Sequence, residues 1–423
     1  MKRRFPSIFL FGVFWCLTIG SVSTEEVFDF GGHVRALLGW EGPGDGTLLE
    51  GEPSLWIKAT LSPSVSLELQ ARFLSTLDSP RLLDLEKGTI QVRIPRYPEL
   101  DSLFVFKAGR QVISDFSAYV FDHRVDGASF QWKFPFTHIE LSGGYTGWQP
   151  REVSQIYLSK SDVLDSEDSS VDYTPPRLVE IGTFTFPQIL FSQDIILSII
   201  SQQDLRSDAP GRPPARRDRV HTNYLGLGTK GKLFENTRIS LFGYLSLGFV
   251  GVSSRVFSGM YGASVQWRGK DRYRTEIEGI LVSASGDDRL SSIYDGATVR
   301  EANVFLPVSL RETGVAFSPF LANITFFQLR GGLSPLSKVW IEGQAFLFFR
   351  TTGGPISESG IDPLDRSDLF LGPELDLRAE WRLYSDLKIR SNVGFFLPAT
   401  GSMGAFSRKD PWVKGTIEAV FSF

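Results

Sequence analysis

After residue 23 the chain has no apolar run long enough to cross a bilayer as a helix, which takes about 18–20 residues, yet apolar and polar positions alternate along much of its length. At the C-terminus Val413, Gly415, Ile417, Ala419, Phe421 and Phe423 alternate with Lys414, Thr416, Glu418 and Ser422. A period of two places the two sets on opposite faces of a β-strand. The pattern recurs at Leu55, Ile57, Ala59 and Leu61, at Val65 to Phe73, at Ile239 to Phe249, and at Leu371 to Trp381. Each stretch is long enough for a tilted membrane strand of about 9–11 residues. Without apolar helices, such a chain can span a membrane only as a closed barrel, because hydrocarbon leaves no water to satisfy a sheet edge.

Connection lengths add a second regularity. Short ones fall at 62–64, 95–102, 135–137, 187–190, 233–236, 269–272, 334–337 and 383–386. Longer ones fall at about 41–51, 76–87, 112–127, 148–176, 202–220, 250–257, 285–322, 350–370 and 398–411. Short turns at one end and long loops at the other are the arrangement of outer-membrane barrels. The expected fold is therefore all-β: a transmembrane antiparallel β-barrel of about 18 strands with both termini on the periplasmic side. A soluble sandwich would not repeat an apolar outward face over so many long strands.

Lys2, Arg3 and Arg4 precede an apolar run from Phe5 to Ile19, followed by the small residues Gly20, Ser21 and Ser23. This order predicts a signal peptide over 1–23 and a mature barrel over 24–423, located in a bacterial outer membrane. Cleavage removes three cations and moves the formal net charge from −4 to −7. Cys16, the single cysteine, goes with the signal, which excludes disulfides and thiol chemistry from the mature chain. The balance of 44 basic and 48 acidic residues excludes a nucleic-acid footprint. The 35 Phe, 11 Tyr and 9 Trp residues match the apolar band and aromatic girdles of a barrel in outer-membrane lipid. A terminal aromatic such as Phe423 resembles the signal that the barrel-assembly machinery reads.

No motif points to an enzyme or a cofactor. Gly226 to Gly231 spell G-x-G-x-x-G, but within alternating strand sequence they read as glycines of a close-packed or bent wall. His123 beside Asp122 and Asp126 lacks an activated serine. The acids Asp162, Asp165, Glu167, Asp168 and Asp172 lack the ordered glycine turn of a calcium loop and read as solvated, so no metal is expected.

The polar strand face carries mixed charge: Lys58, Glu68, Arg72, Arg93, Arg238, Arg274, Glu276, Glu342, Glu374, Asp376, Arg378, Glu380, Lys388 and Arg390. These residues are expected to line a hydrated lumen, with cross-strand pairs between Glu374, Asp376, Arg378 or Glu380 and Lys388 or Arg390. Arg212, Arg216, Arg217 and Arg219 in the 202–220 loop are candidates for a charged constriction.

Several stretches resemble the alginate-export family of outer-membrane porins: Lys107 to Gln111 with Asp126-Gly127, Ser283 to Asp288, Leu371 to Leu377, and Gly394 to Pro398. The resemblance implies an 18-stranded barrel with a charged lumen. The expected function is a porin: passive diffusion or export of small hydrophilic or polyanionic, carbohydrate-like solutes. The alternative is a surface binding protein or adhesin displaying loops 148–176 and 285–322 on a barrel scaffold.

Overall fold

The computed structural model describes residues 27–42, 47–76, 82–95, 103–206, 219–250, 254–288, 301–358, 360–361, 367–401 and 404–423. The predicted signal peptide and Cys16 lie outside the described residues. Eighteen strands form one closed antiparallel barrel. They are β1 (Val27–Glu41), β2 (Thr47–Ser62), β3 (Val65–Thr76), β4 (Leu82–Pro95), β5 (Leu103–Ser114), β6 (Asp122–Lys133), β7 (His138–Tyr145), β8 (Arg177–Leu190) and β9 (Gln193–Asp204). The second half comprises β10 (Val220–Phe234), β11 (Thr237–Val250), β12 (Ser254–Arg268), β13 (Glu276–Ala284), β14 (Ile324–Leu336), β15 (Val339–Arg350), β16 (Phe370–Arg382), β17 (Leu387–Phe396) and β18 (Trp412–Ser422). A two-residue strand, Glu301–Ala302, runs parallel to β12, and the α-helix among the described residues, α1 (Lys160–Glu167), sits in the connection between β7 and β8.

Closure joins β18 to β1, from His33 opposite Ser422 to Glu41 opposite Lys414. Phe423 extends the seam by exchanging two backbone hydrogen bonds with Gly32, at 2.9 and 3.0 Å. Gly32 is required here, because a Cβ would stand 2.7 Å from the Phe423 ring. Alternation sends Leu55, Ile57, Leu69, Leu225, Leu227, Leu241 and Leu245 to the exposed outer wall, where an arginine near mid-membrane would cost about 2–4 kcal/mol. Arg35, Glu52, Arg72, Glu380, Arg390 and Glu418 pair with one another on the opposite face.

The predicted connections recur in order, but several long ones are shorter than the sequence suggested. β2 begins at Thr47, β4 at Leu82 and β6 at Asp122. Asp84 and Asp126, which read as loop residues, stand in paired strands because arginines on neighbouring strands neutralise them. Arg274 departs the other way. It was expected on a strand and instead lies in the turn before β13, with φ +52°.

Candidate functional site

One half of the inner wall is covered by a continuous chain of opposite charges, one residue per strand. Glu380 (β16) accepts from Arg390 (β17) at 3.1 Å, and Arg390 reaches Glu418 (β18) at 3.5 Å. Arg35 (β1) bridges Glu418 and Glu52 (β2), both at 3.0 Å. Arg72 (β3) continues to Glu52 at 3.4 Å and to Asp84 (β4) at 3.3 Å. Above Gly88 and Arg110 the ladder between β4 and β5 ends, and Arg110 and Arg124 converge there on Asp84 at 3.5 and 2.7 Å. Arg110 is also bidentate to Asp126, both bonds 2.7 Å. Beside this pair Gly109 faces Gly127 in register, each with a backbone carbonyl 2.0 Å from any added Cβ. Close backbone approach therefore explains the glycines of Gly109-Arg110 and Asp126-Gly127.

The lumen is narrowed by two connections. The segment 115–121 is organised around buried Asp115, whose Oδ1 accepts from the amides of Val120 and Phe121 at 3.0 and 2.7 Å. Its Oδ2 accepts from the Ser117 amide at 2.8 Å, the Ser117 hydroxyl at 2.6 Å and the Tyr244 phenol at 2.7 Å. Phe116 then lies flat on the glycines of β10, where a Cβ at Gly228 would stand 2.5 Å from its ring. The G-x-G-x-x-G letters thus mark a close-packed wall. Gly228→Val is expected to displace Phe116 and the 115–121 segment, read as a changed single-channel conductance with the barrel still folded.

The second connection, 303–323, is a strap across the barrel. It leaves β13 through the Phe305 amide on the Ser285 carbonyl at 2.9 Å and passes β10, where Tyr224 donates to the Leu306 carbonyl at 2.5 Å. It then joins the first constriction, with the Val308 amide on the Val120 carbonyl at 2.8 Å, and meets the β7–β8 connection through the Leu310 amide on Gln155 at 2.7 Å. Finally it reaches β16, where the amides of Ala316 and Phe317 donate to Glu374 at 2.7 and 3.0 Å and that of Val315 donates to Asp376 at 3.2 Å. Phe317 stacks on Phe396 at 4.2 Å between ring centroids and meets Phe348 edge-on at 4.9 Å.

These contacts revise several sequence expectations. Glu380 pairs with Arg390 and Lys388, whereas Glu374 and Asp376 hold loop amides and make no ion pair with a cation among the described residues. Arg72 pairs with Asp84 and Glu52, and Glu68 pairs with Lys87 at 2.7 Å. Lys58 stands opposite Glu68, Glu342 opposite Arg378, and Arg93 opposite Val105. Glu276 pairs with Arg268 at 3.3 Å. Of the arginines proposed for the constriction, Arg212, Arg216 and Arg217 lie outside the described residues, and Arg219 directly precedes β10.

The acid cluster also differs from the solvated loop expected. Asp162 and Asp165 are buried, and Asp162 caps α1 in a capping box with Ser159. Arg177 meets Asp162 at 2.8 Å and Asp204 at 3.3 Å, while Arg206 contacts Asp162, Asp204 and Asp165. Desolvation opposes the Arg206 charge, but the facing carboxylates Asp162 and Asp204 outweigh it and leave its pKa raised.

Beneath the strap lies a pocket of about 390 Å³ lined by Lys230, Arg238, Arg268, Arg311, Arg330 and a single carboxylate, Glu278. Arg330 pairs with Glu278. Lys230, Arg238 and Arg311 have no carboxylate partner among the described residues. Arg311 is instead held over the Tyr119 ring at 4.1 Å and by the Ser117 and Ala118 carbonyls at 3.4 and 3.3 Å. Sequence reading missed Arg311, Asp115, Tyr224 and Tyr244. The available signal was the apolar content of a nominal surface loop, Val304, Phe305, Leu306, Val308, Phe317 and Leu321, all buried here.

No family model and no curated protein matches the sequence. Among solved structures the chain is similar to OccK11 (OpdR) of Pseudomonas aeruginosa, at 11% identity over 94% of this chain and 96% of that one, with a TM-score of 0.59. It is also similar to the outer membrane protein OprD of Pseudomonas aeruginosa, at 9% identity over 94% of each chain, with a TM-score of 0.54. At such identity the likeness is one of fold, the closed 18-strand antiparallel barrel of outer-membrane porins.

Proposed function

We propose that the protein is a passive outer-membrane diffusion channel for small hydrophilic solutes that favours anions. The observation that carries this reading is the pocket under the strap, where Lys230, Arg238 and Arg311 form no ion pair with a carboxylate among the described residues. The opposite wall is neutralised residue by residue from Glu380 to Asp84. Fixed charge at a narrow point selects ions of the opposite sign. A strap crossing the lumen favours small solutes over a polyuronate chain, so the alginate-like resemblance informs the architecture more than the cargo. The adhesin reading has less support, because the 303–323 part of one connection it would display runs across the barrel interior. No catalytic step and no cofactor belong to this function.

Purified protein in planar bilayers under a salt gradient is expected to give stable steps with an anion-selective reversal potential. Lys230→Glu combined with Arg238→Glu should move that potential toward cation selectivity without unfolding the barrel, since both side chains face the lumen. A sealed barrel, or a reversal potential indifferent to these changes, would count against the proposal.

The same reading makes residues 1–23 an export signal and Phe423 the residue engaged by the barrel-assembly machinery before the β18–β1 seam closes. Deleting Phe423 removes both seam bonds to Gly32 and the ring seated on it. The expected result is a marked loss of heat-modifiable, membrane-embedded protein in outer-membrane fractions, and unchanged levels would refute the role.

A further inference from the structure

We infer that Glu374 and Asp376 are the positioning residues that hold the 303–323 strap across the lumen, so that this acid pair sets the width of the constriction. The inference rests on the channel reading for its functional consequence. Its structural basis is independent of that reading.

Both carboxylates are buried, and neither forms an ion pair with a cation among the described residues. Their recorded partners on the strap are three successive backbone N–H groups, Val315, Ala316 and Phe317. Consecutive amides turned toward one point form a concavity for acceptor oxygens, and here β16 supplies them as carboxyl side chains.

The seat is also shaped for close approach. A Cβ on Gly314 would lie 2.5 Å from the Glu374 carboxylate. A Cβ on Gly394, on the adjacent strand β17, would lie 2.7 Å from the Ala316 nitrogen and from the Val315 Cβ. Phe317 completes the attachment by entering the cage of Phe348, Phe396, Phe406 and Trp412. Two stretches singled out in the sequence, Leu371 to Leu377 and Gly394 to Pro398, thus supply the acids, the glycine gap and one wall of the cage. Other strap contacts run to β10, the 115–121 segment, Gln155 and the 350–358 connection, and the acid pair is the polar attachment to β16.

The test compares the wild type with Glu374→Ala/Asp376→Ala. The double variant should show a several-fold rise in single-channel conductance and admit larger neutral solutes. Val315→Cys and Gly394→Cys added to that background can cross-link strap to wall, since Cβ atoms now at 2.7 Å need only a small outward shift to the disulfide spacing of about 3.8 Å. Oxidation should restore the small conductance, and reduction should raise it again. Gly394→Leu, which keeps both acids but fills the seat, should reproduce the open phenotype. Wild-type conductance in the double variant, or an altered conductance that the cross-link does not reverse, would overturn the inference. Thiol labelling of Val315→Cys gives a readout that needs no conduction: faster labelling without the acids supports the anchor, and equal rates refute it. A wild-type barrel that does not conduct would defeat the channel reading alone.

Discussion

Asp115→Ala is expected to open the channel several-fold, because one carboxylate organises the whole 115–121 segment. Removing it strands the amides of Val120 and Phe121 and the Tyr244 phenol in a buried site, at about 1–3 kcal/mol for each unsatisfied group. The chain escapes that cost by moving the segment, since no barrel strand depends on these bonds. The movement carries further, because the Val120 carbonyl receives the Val308 amide and the Ser117 and Ala118 carbonyls hold Arg311. Loss of Asp115 should therefore raise conductance and weaken anion selectivity together. Asp115→Asn keeps one acceptor oxygen and should give an intermediate conductance. Bilayer recording with solute-exclusion measurements checks both variants, and an unchanged conductance in Asp115→Ala would contradict the assigned role.

The barrel was legible because its determinants are local. A period of two, turn lengths and an apolar outer face are written within each strand, and a one-residue slip would turn every side chain to the wrong face. Where the register does shift, beside Ala71, Glu86 on β4 is the extra residue and Arg72 still pairs with Asp84. Acids such as Asp84 and Asp126 were misread as loop because polarity alone does not distinguish a solvated charge from one paired across strands.

The constriction was less legible because it is made between segments far apart in sequence. Asp115 and Tyr244, or Glu374 and Phe317, meet only after the barrel closes. Glu374 and Asp376 looked like two more lumen charges, and nothing local to β16 announces the amides that occupy them. The 202–220 arginines attracted attention by density, yet Arg206 is spent on Asp162, Asp204 and Asp165. An apolar loop is the more informative sign. Phe305, Leu306 and Phe317 have to be buried somewhere, and a barrel that encloses its long loops offers its own interior.

Arg177→Met should produce the largest stability loss in the cap formed by the β7–β8 connection. Arg177 is fully buried, donates to both oxygens of Asp162 at 3.0 and 2.8 Å and to the Val220 carbonyl at 3.3 Å, and lies 3.3 Å from Asp204. Methionine fills much of the volume but leaves Asp162 and Asp204 to share Arg206, which also faces Asp165. Breaking one partner of a buried pair costs about 3–5 kcal/mol, because the remaining charge is uncompensated. An exposed pair such as Lys270 with Glu235, whose side chains are 65% and 81% accessible, is worth about 0–1 kcal/mol, so Lys270→Met serves as the control. The cost falls where Asp162 caps α1, and the cap can open while the strand ladders persist. Faster hydrogen exchange in α1 and new protease cleavage within 146–176 are therefore expected for Arg177→Met, with the heat-modifiable barrel retained. Protection of α1 equal to that in the Lys270→Met control would show that Arg206 alone suffices to neutralise both acids.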